Sequence, residues 1–572
     1  MDVTDTSKRQ PATEEALLGI DVGGTHTDAV LIDSKGVAAE AKIPTNPADL
    51  MSSLKAVLQE VLQGRSPGDI SRFSLSTTLC TNAIVQHKTD PVGVLVSAGA
   101  GLDPAQFALG EHFVRLDGAL DHRGAEILAM DRSQVKERIQ GLAGAGVRVF
   151  AVVGKFSPRN PGHEKLMEQE LLGRGCDYVT LGHTLSGQLN FPRRIATAYY
   201  NSAVWRIYNG FADAVHGALD GMGLSAPVHV LKADGGTMLL EQSRSRPVET
   251  ILSGPAASVM GLVALCDIRG DAVLLDIGGT TTDIAVFASG APILDRQGTA
   301  IRERATLVRA LHTQSIGIGG DSAVQVADGT LAVGPQRHGE CLAKGGPVPT
   351  LVDALNVLGH CRHGRTEDSW NGMHGLGERL GIAPEEAARR VLDQAVSTIR
   401  QAVGAMLDAI NNRPVYTVYE VLEERRISPE RIYLMGGPAE AMSAPLSRDM
   451  GLESVVPGHA AVANAVGAAL ARPTMLVELF ADTSAGVVRI PSLGISRQIR
   501  DSYSLEDARE EVQQALTRHM QEQGLEVGPV EIVEQSAMNM VRDFHTTGQD
   551  IRVRCQIKPG VSKEQGVLQC PC

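Results

Sequence analysis

Two segments of the chain carry the same order of apolar and polar positions. Residues 18–33 read LGIDVGGTHTDAVLID and residues 275–287 read LDIGGTTTDIAVF, so that Asp21 matches Asp276. In each segment an apolar run ends in aspartate, and Gly-Gly, Thr-x-Thr-Asp and a second apolar run follow. Two glycines give the backbone the freedom that a tight turn between strands requires. The pattern predicts two β-hairpins, and their wide separation indicates a duplicated domain rather than a short repeat.

Strand-like and helix-like patterns alternate between the two hairpins. The apolar runs at residues 92–97 and 147–153 predict strands, whereas residues 78–86 and 164–172 predict helices. Alternation of this kind is typical of an α/β architecture. At 572 residues the chain is too long for one hydrophobic core, so we expect three or four domains.

Further helices and a strand are predicted around and beyond the second hairpin. Residues 252–265 are mostly small, as in a closely packed helix, and residues 384–410 have apolar positions at helical spacing. Residues 432–435 predict a strand that runs directly into Gly436 and Gly437.

The character of the sequence changes beyond Pro473. Residues 504–523 predict an amphipathic helix with Ser504 and Asp507 as a capping pair, and residues 530–533 and 551–557 predict strands. We therefore expect a small α+β domain here, with a flexible tail after Pro559.

Charge and composition argue against several kinds of partner. The net charge is −13 and no lysine- or arginine-rich run occurs, which argues against nucleic acid or an acidic membrane surface. The polar residues 1–15 do not form a signal peptide, and the uncharged run at residues 460–471 is too short to cross a membrane. The eight cysteines lack the spacing of a disulfide framework, so we expect reduced thiols and a cytoplasmic protein.

The two hairpins carry the residue types that bind a nucleotide phosphate and its metal ion. Glycine turns let backbone N–H groups approach a phosphate, and threonine hydroxyls add donors. The candidates for phosphate contact are Gly23, Gly24, Thr25, Thr27, Gly278, Gly279, Thr280 and Thr282, with Thr25 and Thr280 as the better threonines. Asp21 and Asp276 are suited to hold Mg²⁺ through water, although they could instead cap the hairpins. Asp28 and Asp283 could orient the attacking group or brace the turns.

This constellation resembles the actin/hexokinase/heat-shock ATPase superfamily, in which two related lobes close on ATP. The resemblance implies duplicated actin-like (ribonuclease H-like) lobes, with residues 252–265 and 461–471 as the helices between them. Gly436 and Gly437 would lie beside the adenosine. The implied division of the chain is a disordered tail at 1–15, a first ATPase lobe at 16–268, a second lobe at 269–475 and the C-terminal domain at 476–572.

Within that superfamily, the chain resembles the hydantoinase A/5-oxoprolinase family over nearly its whole length. The resemblance rests on both hairpins and on further stretches in the family's order, among them STTLCTNAIVQHK (76–88), FSPRNPGHE (156–164), LKADGGTMLLEQSRSRPVETILSGPAAS (231–258), SIGIGGDS (315–322), PTLVDALNVLG (349–359), YLMGGPAEA (433–441) and HTTGQDIRV (545–553). It adds Gly319 and Gly320 to the expected nucleotide site. The chain departs from the family at His26, at Asp321 and in the shortened region 334–350.

The resemblance implies ATP-dependent activation of a carbonyl oxygen. The leading interpretation is a hydrolase that opens a cyclic amide, hydantoin or 5-oxoproline-like, with Asp21, Asp276 and Asp283 as catalytic residues. One alternative is the nucleotide-binding subunit of an ATP-dependent ketone carboxylase. Another, of a different class, is an ATPase switch that acts on a protein partner. The family also implies a hydantoinase B-like second subunit and an oligomer.

Several residues are left with two interpretations each. Asn160, His163, Glu164, His183 and Asn201 lie in family-like stretches and could line the substrate side or be structural. His26 is expected to be a packed or solvent-facing side chain rather than a base. His360, Cys361 and His363 have no partner pair at zinc-finger spacing, and Cys570 and Cys572 are expected to lie in a loose tail.

Overall fold

The computed structural model describes residues 16–46, 49–295, 297–327, 329–412, 426–542 and 544–562. The expected disordered tail at residues 1–15, most of the tail after Pro559, and Cys570 and Cys572 lie outside the described residues. None of the described helices is long and apolar enough to span a membrane.

The first predicted hairpin is present at the start of the described chain. β1 (Ala16–Val22) pairs antiparallel with β2 (His26–Asp33), which pairs with β3 (Gly36–Pro44). After the helix Leu50–Val61, β4 (Ile70–Thr77) returns parallel to β1 on its other side. All seven residues of β1 are buried, because the strand lies inside a sheet covered on both faces.

Residues 79–185 form a separate parallel sheet. The elements in chain order are the helix Leu79–Val85, β5 (Val92–Ser97), β6 (His112–Leu116), β7 (Ala119–Leu120), β8 (Glu126–Leu128), the helix Arg132–Gly144, β9 (Val149–Gly154), the helix Gly162–Leu172, β10 (Tyr178–Leu181) and the helix Gly182–Leu185. The strand order of the sheet is β10-β9-β5-β6, and β7 and β8 form a separate short antiparallel pair. The helices and strands predicted in this region are confirmed with small shifts at their ends.

The chain then returns to the first sheet through the long helix Phe191–Gly221. The next elements are β11 (Val228–Leu231), β12 (Thr237–Leu239) and the helices Leu240–Ser243 and Ser253–Leu265. β11 pairs parallel with β4, and the completed order is β12-β11-β4-β1-β2-β3.

The second hairpin repeats the arrangement of the first. The strands of this region are β13 (Ala272–Ile277), β14 (Thr282–Ala288), β15 (Ala291–Pro292), β16 (Leu294–Asp295), β17 (Ala300–Ile301), β18 (Arg304–Ala305), β19 (Ala310–Leu311), β20 (Thr313–Ile316), β21 (Val324–Ala327), β22 (Thr330–Val333), β23 (Arg431–Met435) and β24 (Glu453–Val455). β13 pairs antiparallel with β14 and parallel with β23, as β1 pairs with β2 and β4. Its helices are Leu351–Val357, Thr366–Leu380, Pro384–Asn411, Ala439–Met450 and Ala463–Leu470. The prediction of a duplicated α/β lobe is confirmed.

Two helices of small residues, Ser253–Leu265 and Ala463–Leu470, pack between the lobes. A Cβ on Gly261 would collide with the Ala463 carbonyl oxygen, and one on Gly467 would collide with that of Ala257. A Cβ on Gly19 of β1 would meet Ala465 in the same way. Backbone therefore touches backbone where the lobes join, which only glycine allows. The second of these helices is shorter than the predicted range 461–471.

The C-terminal region is an antiparallel sheet with one helix packed on it. The elements are β25 (Leu476–Asp482), β26 (Val487–Ile490), β27 (Ile495–Gln498), the helix Leu505–Glu522, β28 (Val530–Arg542) and β29 (His545–Ile557). The strand order of the sheet is β27-β26-β25-β29-β28. The predicted cap is present, since Ser504 and Asp507 form a capping box. The two predicted strands were too short, because most of the added residues between Glu534 and Gln549 are polar and lack a buried face.

Candidate functional site

The first candidate carboxylate, Asp21, lies near the end of β1 and is buried. It accepts a hydrogen bond from the Ser76 hydroxyl of β4. Burial raises the pKa of Asp21, and the hydrogen bonds from Ser76 and Asn464 oppose that rise. The turn that follows is closed by a hydrogen bond from Gly23 N to His26 O, at 3.1 Å.

The neighbouring carboxylate, Asp28, is held by a lysine. Asp28 lies directly opposite Asp21 in the register of β1 and β2. Lys42 Nζ lies 2.8 Å from Oδ1 and 2.7 Å from Oδ2 of Asp28, and it also donates to Ala461 O at 2.8 Å. Burial raises the pKa of Asp28 to about 7 against the opposing charge of Lys42. This carboxylate therefore braces the first hairpin against the start of the second interlobe helix.

The second candidate carboxylate, Asp276, lies at the matching position of β13 and accepts a hydrogen bond of 2.6 Å from the Ser258 hydroxyl. Asp283 is opposite Asp276 in β14 and opposite Ser315 in β20. Burial and the charge of Asp276 raise the pKa of Asp283 to about 7, against a hydrogen bond from Ser315. The loop with Gly320 lies against the turn, since Gly320 N donates to Gly278 O at 2.9 Å.

One amide joins the two carboxylates. Asn464 Nδ2, on the second interlobe helix, lies 3.3 Å from Asp21 Oδ2 and 3.3 Å from Asp276 Oδ2. The turns also face each other, because a Cβ on Gly279 would lie only 3.3 Å from Cγ2 of Thr25. The structure thus brings the two predicted carboxylates and the two predicted turns to one place.

The four candidate threonines divide into two kinds. The Thr27 hydroxyl is buried and lies 2.9 Å from the Thr45 hydroxyl, and the Thr282 hydroxyl donates to Ile318 O at 2.6 Å. Thr25 and Thr280 are partly exposed at the turns. Of the four, only Thr25 and Thr280 are accessible from outside the fold.

The remaining predicted glycines lie at the edge of the second hairpin. Gly436 has a φ of 88°, and a Cβ there would collide with Ile277 O and lie 2.8 Å from Asp276 Oδ1. Gly437 has open space around it. A Cβ on Gly319 would lie 2.7 Å from the backbone of Gly279, so this glycine is needed for close packing against the turn.

Sequence reasoning missed Ser76, Ser258 and Asn464. Ser76 and Ser258 lie inside stretches already singled out, but nothing local indicates that their hydroxyls reach the carboxylates. Asn464 had a signal, since it is the one polar side chain in the run AVANAVGAAL at residues 461–470. A lone amide on a helix packed between lobes is typical of a polar contact made inside the interface.

Asp321 and His26, the departures from the family, both lie beside the turns. Arg337 Nη2 lies 3.0 Å from Asp321 Oδ2, and burial raises the pKa of Asp321 in spite of that cation. His26 is partly buried, and burial together with the charges of Lys42 and Lys344 lowers its pKa to about 4. His26 is therefore neutral at neutral pH.

The residues left open around the parallel sheet form an internal network. Glu164 is fully buried, accepts from Gly154 N at 2.8 Å and from His183 Nδ1 at 2.5 Å, and lies 3.7 Å from Arg194. His163 Nδ1 lies 2.8 Å from the Ser97 hydroxyl. Each of these side chains has partners within the fold, which favours the structural interpretation.

Asn160 and Asn201 are likewise tied to backbone groups. Asn160 Nδ2 donates to Gly124 O at 2.9 Å, and Asn201 Nδ2 donates to Ser245 O at 3.1 Å. Cys361 Sγ lies 3.2 Å from Asn356 Oδ1. In the described part of the chain, no group of three or more His, Cys, Asp or Glu side chains is arranged to hold a metal ion.

Comparison with known families matches most of the chain. The model of the hydantoinase/oxoprolinase family matches residues 194–476, and the model of the N-terminal region of that family matches residues 17–173.

Three curated relatives are similar in sequence. The caprolactamase subunit alpha of Pseudomonas jessenii is 26% identical over 461 residues, covering 74% of this chain and 65% of the relative. The acetophenone carboxylase gamma subunit of Aromatoleum aromaticum is 26% identical over 403 residues, covering 60% and 53%. The 5-oxoprolinase of Saccharomyces cerevisiae is 25% identical over 260 residues, covering 42% and 19%. The chain thus spans less than two thirds of the length of each of these three.

Two solved structures share the fold. A nucleotide-free acetone carboxylase structure superposes with a TM-score of 0.72 at 16% identity, covering 96% of this chain and 88% of that one. The ATP-dependent caprolactamase of Pseudomonas jessenii superposes with a TM-score of 0.67 at 19% identity, covering 94% and 87%. These likenesses confirm the predicted fold, duplicated actin-like lobes with an α+β C-terminal domain.

Proposed function

Because the chain belongs to the hydantoinase/oxoprolinase family, we propose that it is an ATP-dependent hydrolase that opens a cyclic amide of the hydantoin or 5-oxoproline kind. The observation that carries the proposal is the position of Asn464, whose amide lies 3.3 Å from both Asp21 and Asp276. Asn464 therefore joins the two hairpins, whose turns lie beside each other. Relatives named as a caprolactamase and a 5-oxoprolinase support a cyclic amide as the substrate class.

We propose that the two turns hold the phosphates of ATP. Glycines at both turns expose backbone N–H groups, and Thr25 and Thr280 add hydroxyl donors from opposite lobes. Gly319 and Gly320 pack against the second turn, and the open space at Gly437 suits an adenosine beside it. In this proposal the lobes extend over residues 16–268 and 269–475, with the third domain at 476–572.

The donor set fits a magnesium ion held largely through water. Mg²⁺ usually takes one or two protein carboxylates and keeps several waters beside substrate phosphates. Asp21 and Asp276 are two such carboxylates, and the described residues offer no cage of three or more ligands that would compete for it. When bound, the ion would neutralise charge on the transferred phosphoryl group.

The chemistry needed is activation of a poor electrophile. The γ-phosphoryl group passes from ATP to the amide oxygen, and ADP leaves. Water adds to the activated carbon, and the C–N bond breaks as nitrogen takes a proton, which leaves an acyl phosphate. A second water hydrolyses the acyl phosphate to the carboxylate and phosphate. Asp283 is suited to accept the proton of the attacking group, because its pKa of about 7 lies near the working pH. Asp21 and Asp276 position the phosphoryl donor.

A second candidate is the nucleotide-binding subunit of an ATP-dependent ketone carboxylase. The acetone carboxylase structure, with a TM-score of 0.72, and the acetophenone carboxylase gamma subunit favour it. Both candidates use the same phosphate site and differ in the acceptor oxygen. Several relatives are named as subunits, which supports a second, hydantoinase B-like subunit and an oligomer for this chain as well.

One assay separates the candidates. ATP hydrolysis is measured alone, with hydantoin, 5-oxoproline or caprolactam, and with acetone or acetophenone plus bicarbonate. Stimulation by a cyclic amide with formation of ring-opened product supports the hydrolase. Turnover that requires bicarbonate and a second subunit supports the carboxylase. If none of these compounds changes the rate of ATP hydrolysis but a protein partner does, both candidates are rejected in favour of an ATPase switch.

A further inference from the structure

An ion pair lies beside the second hairpin turn, at two positions where the chain departs from the family pattern. Arg337, in the shortened region 334–350, donates to Oδ2 of Asp321 from Nε at 3.1 Å and from Nη2 at 3.0 Å. The two side chains are 28% and 15% exposed, so the pair is only partly covered by the fold. Two of the departures are therefore joined to each other in the structure.

The backbone fixes Asp321 against the second turn. Asp321 N donates to Gly279 O at 2.7 Å. A Cβ on Gly279 would lie 3.0 Å from Asp321 Oδ2 and 3.3 Å from Thr25 Cγ2. The same side of Gly279 thus faces both the carboxylate and the first turn. Asp321 therefore lies where the two turns meet.

The segment that carries Arg337 is fixed in a similar way. Gly334 N donates to Ala323 O at 2.9 Å, and Ala323 N donates to Gln336 O at 2.9 Å. Both partners of the ion pair thus extend from backbone that is hydrogen-bonded within the second lobe. A guanidinium held in this way loses little side-chain freedom when it binds a ligand.

Arg337 keeps hydrogen-bond donors that the ion pair does not use. A guanidinium carries several N–H donors in a planar fork, which suits phosphate oxygens better than the single point of a lysine ammonium. Both bonds to Asp321 end on one oxygen, and Nη1 makes no hydrogen bond within the part of the chain that the structure describes. Arg337 can therefore bind Asp321 and an anion at the same time.

The charge of Arg337 acts on both turns. A carboxylate beside a phosphate is unfavourable unless a cation compensates it, and Arg337 supplies that cation for Asp321 at the second turn. Burial lowers the pKa of His26 in the first turn to about 4, and the charges of nearby cations, Arg337 among them, contribute to that shift. An anion between the turns would thus meet the positive charge of Arg337.

We propose that Arg337 binds the terminal phosphate of ATP while Asp321 holds its guanidinium in place. This inference rests on the proposed function, which puts the phosphates at the two turns and the adenosine beside Gly437 of the second lobe. The terminal phosphate is the one farthest from the adenosine, so in that arrangement it lies nearest the first turn. Arg337 lies where that turn meets Gly279, and it lets the site distinguish ATP from ADP.

Calorimetric titration of the full chain with magnesium tests the proposal, with the imido analogue of ATP and with ADP as ligands. We expect Arg337→Gln to weaken binding of the analogue about tenfold or more and binding of ADP less than about threefold, because ADP lacks the third phosphate. Lys344→Gln is the charge-matched control, since Lys344 is exposed and its charge also acts on His26. It should change either affinity less than about twofold, because the charge of an exposed side chain is screened.

A double variant tests the role of Asp321. In Arg337→Gln the carboxylate stays beside the phosphate without its cation. Asp321→Asn/Arg337→Gln should therefore bind the ATP analogue more tightly than Arg337→Gln alone. Equal affinities in the single and double variants would contradict the pairing of the two side chains at the phosphate and overturn the proposal.

Chemical modification of the wild-type chain decides if the variants do not fold. A dicarbonyl reagent that modifies arginine should react more slowly with Arg337 when the ATP analogue is bound than when ADP is bound. Arg431, which pairs with Glu453 at the start of β23 and thus at the opposite end of that strand from Gly436, should react equally in both complexes. Mass spectrometry of the digested chain measures both rates.

Four results would overturn the proposal. They are equal weakening of both nucleotides by Arg337→Gln, unchanged affinities in that variant, an equal loss in Lys344→Gln, and equal modification of Arg337 in the two complexes. A wild-type chain that binds no ATP analogue would reject the proposed phosphate site together with this inference. Tight binding of the analogue that Arg337→Gln leaves unchanged would reject this inference alone.

Discussion

The two hairpins share a sequence pattern but differ at the second aspartate. In the first hairpin, Asp28 is bonded to Lys42, which also reaches Ala461 O of the segment before the second interlobe helix. In the second hairpin, Asp283 faces Asp276 and Ser315 and has no ion pair in the described structure. A duplicated carboxylate has thus become part of an interlobe brace in one copy. In the other copy no cation within the described residues engages it.

The largest effect is expected at the carboxylates that the two hairpins have in common. Asp21→Asn and Asp276→Asn should each lower kcat for ATP hydrolysis by about 10³-fold while the chain stays folded, because each removes charge at the proposed metal. Steady-state kinetics and a circular dichroism spectrum measure the two properties. Near-normal turnover in both variants would contradict a phosphate site formed by both hairpins.

The second aspartates should behave differently from each other. Asp283→Asn is expected to lower kcat by about 10²-fold, since it removes the proposed proton acceptor. Asp28→Asn should change kcat much less but lower the unfolding free energy by about 1 kcal/mol, because Lys42, partly exposed, loses its partner. Kinetics together with urea denaturation distinguish the two variants. Equal losses of kcat would mean that the hairpins are chemically equivalent.

The pH dependence of stability should expose the proton on Asp283. In the folded chain this carboxyl keeps its proton up to about pH 7, whereas an unfolded aspartate loses it near 3.8. The stabilisation of the folded chain by the protonated Asp283 carboxyl is complete below pH 3.8, and it is lost as the pH rises through about 7. Relative to Asp283→Asn, the wild-type unfolding free energy should therefore fall by up to about 1.4 kcal/mol per pH unit between these values. Urea titrations of the nucleotide-free chains measure it, and parallel pH profiles would show that Asp283 is already ionised.

A smaller effect is expected at the amide between the hairpins. Asn464→Ala should lower ATP turnover about three- to tenfold, because it removes two long hydrogen bonds to carboxylates. Asn464→Asp should cost more than Asn464→Ala, since it places a third negative charge beside Asp21 and Asp276. Equal ATP turnover in the wild-type chain and both variants would show that Asn464 does not contribute to the site.

Local patterns predicted the elements but not the contacts between distant parts. The hairpins, the helix Pro384–Asn411 and the cap at Ser504 follow from periodicity and turn chemistry, which are local. The bond from Lys42 to Asp28 and the reach of Asn464 to both lobes depend on how strands and helices pack, which no short window encodes. The preference for Thr25 and Thr280 came from their place directly after the glycines, which is also local, and the burial of Thr27 and Thr282 agrees with it.

The contact between the lobes has a consequence for the variation that the chain tolerates. Gly19, Gly261 and Gly467 come from three distant parts of the sequence, yet each lies against the backbone of a neighbouring interlobe element. A side chain at one of them would move the helix that carries Asn464, whatever residues occupy the other two. Selection for correct folding alone, with no demand for turnover, would then suffice to preserve all three glycines.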